Sequence, residues 1–433
     1  MKVNKAFVSI FAAFLTSLAI PIHAQNVVTD WNSIASTTIV ANGGKTPATA
    51  SVWFAYASIA AYDAVNAIEH RGDPFYFHGS AGRNASKEAA VLAAEHRILV
   101  NYFPTQQAML DLDYTVSLAA IPGSPSARAE GVAVGEKAAA AVIAARAGDG
   151  LEANVVYTPG SGPGVWQPTP PKFLAAATPW LAQLRPFTLN SPSQFLPPGP
   201  TPLDSDEWER DYNLTRLFGD VSSTIRTPEQ TEIGLFWTEN TAQQYARTFN
   251  YLAINQKLDV AESTRLMALL WTGYADSAIG CFNAKYTYSF WRPATAIPAG
   301  GGNSELPTDL QWTALGVTPN HPEYPAAHAC ITNTVANLVA AYFGTKKVKV
   351  VVDSLAFGAA GVHTHVFQNT DDWFNEVFWA RIYAGFHFYH SLVDGGKLGE
   401  RVSRQVVRKQ FHDLDDRHDH DGDGDRDRSD ASW

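Results

Sequence analysis

Lys285, Arg292 and Arg381 supply three long cations, and His328 and His387 two imidazoles, in a chain whose net charge is −10. They fall in three short runs: Lys285 to Pro293, Pro325 to His328, and Arg381 to His387. An arginine presents a planar fork that grips two oxygens of an oxyanion, and a lysine acts as a compact point charge. Histidine titrates near neutrality and moves protons. Together these residue types suit a pocket that holds a tetrahedral oxyanion and transfers protons around it. Any one run alone is more often a solvated ion pair or a core histidine. The ordered set carries the argument.

Spacing adds detail. Lys285 and Arg292 are close to two helical turns apart and so can share a face, while Pro293 disfavours helix at Arg292 and puts it near a helix end. Pro325 to His328 reads as a loop entering a helix, whose free amides, that of Ala327 among them, favour anions. Arg381 and His387 are poorly spaced for one helical face, and Gly385 between them marks a break or a helix start.

The set resembles the three-part signature of the vanadium-dependent haloperoxidases and the type 2 phosphatidic acid phosphatase superfamily that shares their site. That signature is a Lys, six residues and Arg-Pro; then Pro-Ser-Gly-His; then Ser-Arg, five residues and His. Lys285, Arg292 and Pro293 match the first part. Pro325 and His328 match the second, with Ala326 and Ala327 replacing Ser and Gly. Arg381 and His387 match the third, with Ala380 in place of Ser. A looser likeness takes in Ala61 to Asn66, Thr227 to Gln230 and His321 to Tyr324.

The resemblance implies an all-α fold of helical bundles and a vanadate cofactor held by Lys285, Arg292, Ala327, Arg381 and His387, with phosphate able to occupy the same site. It makes His387 the direct ligand of vanadium, or the nucleophile of a phosphatase, and His328 the acid and base. Substrates would be hydrogen peroxide, halide and small organic acceptors, or phosphomonoesters. His321 takes the position that is aromatic in chloride-oxidising members and often His in bromide-oxidising ones, which favours bromide or iodide. Cys281 and Cys330 would flank the same pocket, either bridged or as two buried thiols. Two other readings stay open: an acid phosphatase working through a phosphohistidine, and a non-catalytic exported protein that binds an oxyanion or calcium.

Around these runs the chain reads as mostly helical. Residues 1–24, with Lys2, Lys5 and an apolar run from Ala6 to Ile20, look like an export signal and not a membrane anchor, since a span needs ~20 apolar residues. The expected location is periplasmic or secreted. The acidic balance gives no reason to expect nucleic acid, and a homo-oligomer is left open. Helical patterns run from Pro47 to Glu69, Ser86 to Val100, Thr105 to Ala120 and Ser126 to Ala145. Residues 150–204 are dense in proline, but Trp166, Phe173, Trp180 and Phe187 point to an ordered, irregular excursion.

Helix resumes at Glu207, in the half (about 205–411) of the 25–411 body that carries the site. Further helices are expected from Thr227 toward Asn240, Val260 to Trp291, Ala326 to Phe343 and Asp372 to Leu392. Val348 to Val352 is too little for a sheet. His363, His365 and His390 could mark a transition metal, but no cysteine or carboxylate nearby in the sequence completes a ligand set. After His412 the chain is an acidic tail. Asp419, Asp421, Asp423, Asp425 and Asp430 imitate a calcium loop, yet no second helix can follow, so a disordered tail is expected.

Overall fold

Proline at the first helical position opens several of these helices, in two of them with a capping side chain just before it. The computed structural model describes residues 26–411. The first 25 residues and the acidic tail, with its calcium-like aspartates, lie outside the described residues. In chain order the helices are α1 (Val27–Ser36), α2 (Pro47–Glu69), α3 (Lys87–Tyr102), α4 (Gln107–Ala120), α5 (Pro125–Arg146), α6 (Asp206–Gly219) and α7 (Pro228–Phe236). They continue with α8 (Thr241–Asn255), α9 (Val260–Tyr288), α10 (Pro293–Ala296), α11 (Ala327–Phe343), α12 (Thr370–Tyr383) and α13 (Tyr389–Lys409).

Local chemistry accounts for the starts. Ser86 and Ser124 accept from the amides of Ala89 and Ala127, and Thr227 with Gln230 and Asp259 with Glu262 form capping boxes. Almost every residue of α2 and most of α9 are buried, as expected of helices apolar all round, and these two pack together at the centre. α3 and α5 complete a first bundle on α2, and α11, α12 and α13 build a second against α9. Among the described residues the fold is all-α but for one hairpin, and no helix is long and apolar enough to cross a membrane.

Four expectations need correction. Val350–Ser354 (β1) does pair, antiparallel, with His363–Phe367 (β2), so a two-stranded sheet forms after all. The helix opening at Thr227 stops at Phe236, and α8 follows as a separate element that the sequence pattern did not reveal. The segment expected as one helix from Asp372 to Leu392 is two, α12 and α13, and the break expected at Gly385 falls there. Gly385 sits between them in the left-handed region (φ 74°), where a Cβ would stand 2.6 Å from the Gly219 carbonyl oxygen at the end of α6. His387 is therefore on a linker and not on a helix. Within the proline-rich excursion, Trp166 and Trp180 are buried but Phe173 is 64% exposed, so only some of its aromatic residues anchor it.

Candidate active site

The second and third runs line one cavity of about 890 Å³ through Ala327, His328, Arg381 and His387, with His321 also on its wall, and Arg292 of the first run stands behind His321 and His387. Lys285 arrives from the last turn of α9, Arg292 from the extended residue before α10, and His328 from the first turn of α11. Lys285, Arg292, Arg381 and His387 are all buried. Lys285 and Arg292 share no helical face, because α9 ends at Tyr288; the chain turns through Ser289 and brings Arg292 back in extended form.

His387 is held from both ring nitrogens. Its Nδ1 lies 2.7 Å from Glu323 Oε1, which also accepts the Phe388 amide, and its Nε2 lies 3.2 Å from Arg292 Nη1. A guanidinium only donates, so Nε2 carries the lone pair and Nδ1–H donates to Glu323. Burial, then Arg292 and Lys285, push the His387 pKa well below the ordinary value. The result is a neutral imidazole with an unprotonated Nε2, the form that ligates metals, oriented by a carboxylate as metal-binding histidines commonly are.

The cations are pinned but not saturated. Arg292 donates to the carbonyls of His321 and Phe386 and to His321 Nδ1 (3.0 Å). Lys285 donates to the carbonyls of Pro322 and Glu323, leaving one of its three protons. Arg381 Nη1 donates to the Trp237 carbonyl at 2.6 Å, while its buried Nε has no partner. His328 Nε2 lies 2.9 Å from Thr241 Oγ1.

Burial lowers the pKa of Lys285 to about 8, of Arg292 to about 10 and of Arg381 to about 9, and Arg292 adds repulsion to both of the others. Burial likewise pushes the Glu323 pKa up to about 7, against the pull of Lys285 and Arg292. His321 and His328 are driven well below the ordinary histidine value, chiefly by burial. Three buried cations thus face a single buried carboxylate. An oxyanion would relieve this imbalance, and Arg381, on the cavity wall, keeps an unpartnered Nε to meet it.

Of the residues that depart from the signature, Ala327 lines the cavity, while Ala326 and Ala380 lie off its wall. Ala326 packs with Ala329, Ile382 and Leu392, and Ala380 joins the main core. Cys281 and Cys330 are free, buried thiols in hydrogen-bonding contact with each other, and Cys281 also donates to the Pro325 carbonyl.

Comparison with known proteins bears on the fold. Residues 265–415 match the family described as the VCPO second helical-bundle domain. A bacterial vanadium-dependent iodoperoxidase superposes with a TM-score of 0.74 over 89% of this chain and 96% of that one, at 21% identity. A bacterial vanadium-dependent chloroperoxidase in its holo form gives 0.68 over 86% and 94%, at 17% identity. The fold is that of the vanadium haloperoxidases. The vanadium chloroperoxidase of Curvularia inaequalis is 26% identical across 28% of this chain and 24% of its own length, so the match spans about a quarter of that relative.

Within that haloperoxidase fold, sequence reasoning missed Glu323, Thr241 and Trp237. The first had a signal, since it lies between His321 and Pro325. The other two come from the end of α7 and the start of α8, whose boundary the pattern blurred.

The charge balance fixes a pH dependence. Lys285 loses its proton near pH 8 and Glu323 gains its negative charge near pH 7, so each step upward removes net positive charge from the site. Phosphate or vanadate affinity of the apo-protein should therefore fall as pH rises from about 6 to 9, with proton uptake on binding in the upper half of that window. Calorimetry in buffers of different ionisation enthalpy measures this directly. An affinity that climbs with pH would contradict the assignment. Stability carries the opposite linkages: Glu323, protonated in the folded state between its ordinary value and about 7, makes stability fall with pH there, whereas Lys285 makes it rise above pH 8.

Proposed function

We propose that this protein is an exported, vanadate-dependent haloperoxidase that oxidises halide with hydrogen peroxide to hypohalous acid. The observation that carries the reading is the neutral His387, its Nε2 lone pair set among three buried cations that face one carboxylate. These residues fit vanadate: His387 Nε2 is a metal ligand in the correct tautomer, while Arg381, Arg292, Lys285 and the free amides at the start of α11 suit its oxygens. Bound vanadate supplies a Lewis-acidic centre that activates peroxide toward halide. The chain's own contribution is to hold that charge in a buried site, keep His387 oriented through Glu323, and exchange protons at His328. A neutral His328 beside Thr241 accepts the proton that peroxide loses on binding and returns it to the departing oxygen.

Bromide or iodide is the proposed halide. The support is His321, whose ring lies on the cavity wall and accepts from Arg292, where chloride-oxidising relatives resemble one another in carrying an aromatic side chain. Export rests on Lys2, Lys5 and the apolar run of residues 6–20.

The test is an assay of the purified apo-protein with orthovanadate, peroxide and each halide in turn, then with a phosphomonoester and no vanadate. The expected result is vanadate-dependent oxidation, faster with iodide or bromide than with chloride. Ester hydrolysis without any halide oxidation would replace this reading with that of an acid phosphatase, since phosphate presents the same tetrahedral oxyanion to the same cations.

A further inference from the structure

His363 and His365 take no part in the site above. Carboxylates that the sequence spacing hides stand beside them. His365 Nδ1 lies 2.6 Å from Glu376 Oε1 and its Nε2 lies 3.1 Å from Glu232 Oε2, while His363 Nδ1 lies 2.8 Å from the other oxygen of Glu232. Phe236 stacks on the His365 ring at 3.8 Å. Among the described residues no cluster of three or more His, Cys, Asp or Glu is arranged to hold a metal ion. The effect of Glu232 and Glu376 on these histidines is ion pairing.

The pairs close a loop between elements. Glu232 is on α7, the histidines are on β2 and Glu376 is on α12. Glu376 Oε1 also accepts the indole N–H of Trp237 at 2.9 Å, and the Trp237 carbonyl in turn accepts Arg381 Nη1 at 2.6 Å. Trp237 lies just beyond the end of α7 and lines the cavity. The Arg381 guanidinium is otherwise held by the Phe386 ring, 4.7 Å away.

We propose that protonated His365, bridging Glu232 and Glu376, clamps α7 to α12 and through Trp237 positions the Arg381 guanidinium for the bound oxyanion. The inference rests on the oxyanion site proposed above. An imidazolium donates from both nitrogens, whereas a neutral ring donates from one only. Loss of the proton therefore strips one carboxylate of its donor and leaves the end of α7 less tightly held. The charged groups facing His365 are Glu232 from α7, Glu376 from α12 and His363 from its own strand; Asp353 on the paired strand β1 is taken by Thr364. Burial alone would lower the His365 pKa, but the two carboxylates more than offset it and raise it above the ordinary value. A raised pKa means that the clamp is complete at lower pH and is lost as pH rises through that value.

His365→Gln and Trp237→Phe test this. The first removes the titrating charge, and the second removes the indole N–H while leaving His365 intact. Two quantities are read across pH: the hydrogen-exchange protection of residues 228–237, and the affinity for orthovanadate. In the wild type both should drop above the ordinary histidine range, over and above the fall due to Lys285. In His365→Gln that extra drop should vanish. In Trp237→Phe vanadate affinity should be lower by about five-fold or more at every pH, the lower end of ordinary coupling between sites. An unchanged exchange profile in His365→Gln overturns the clamp. Altered exchange with wild-type vanadate affinity in both variants overturns its link to Arg381. If the wild type binds no vanadate, the oxyanion site itself fails, and the clamp stands or falls on exchange alone.

Discussion

Alanine in place of His387 should abolish vanadate-dependent halide oxidation and any phosphomonoester hydrolysis alike, while leaving the helical content intact. His387 offers a neutral imidazole whose Nε2 is free of its own proton, set between Arg292 and the cavity. Without it the oxyanion keeps its cations but loses its one proposed covalent attachment to the chain. The backbone there is secured independently, since Thr215 donates to the His387 carbonyl and Arg292 to that of Phe386. What is lost structurally is the Nδ1–H···Glu323 bond, which leaves a buried carboxylate with fewer donors and costs about 1–3 kcal/mol. The expected picture is thus a wild-type far-UV spectrum, a modestly lower melting temperature and activity at background. Substantial turnover in a folded His387→Ala protein would remove His387 from the mechanism. His328→Ala should differ in kind: turnover falls more than vanadate affinity, because its role is proton transfer and not attachment.

How far the chain could be read before folding depended on the kind of signal. Proline at N1 and a capping side chain are both local chemistry, and with one or both of them α2, α3, α5, α7 and α9 began within a residue or two of where the sequence put them. The ends were harder. Trp237 to Asn240 looks as helical as its neighbours, and only tertiary packing decides that α7 stops and α8 begins. Site residues in the signature were legible because their order is fixed along the chain, and they gather in one buried cluster at the cavity's edge although Arg292 and His387 are not on helices. Glu232 and Glu376, by contrast, lie 133 and 11 residues from His365, and nothing along the chain announces that β2 brings all three together. Long-range ion pairing leaves no trace in local sequence.

Glu323→Gln should separate positioning from charge. The amide oxygen of glutamine can still accept both His387 Nδ1–H and the Phe388 amide, so the ring stays oriented, but the negative charge behind it is gone. With three cations no longer opposed by a carboxylate, phosphate should bind at least as tightly as to the wild type, and the affinity step near pH 7 should disappear. The imidazole becomes a poorer base, and carboxylate partners of metal-bound histidines are typically worth 10–100-fold in affinity or activity. Turnover is accordingly expected to fall by about that factor with anion binding preserved. Steady-state kinetics beside phosphate calorimetry across pH 5–9 reads both halves of the prediction. Parallel losses in affinity and turnover would mean that Glu323 serves the fold, holding residues 387 and 388 in place, and does not tune the ligand.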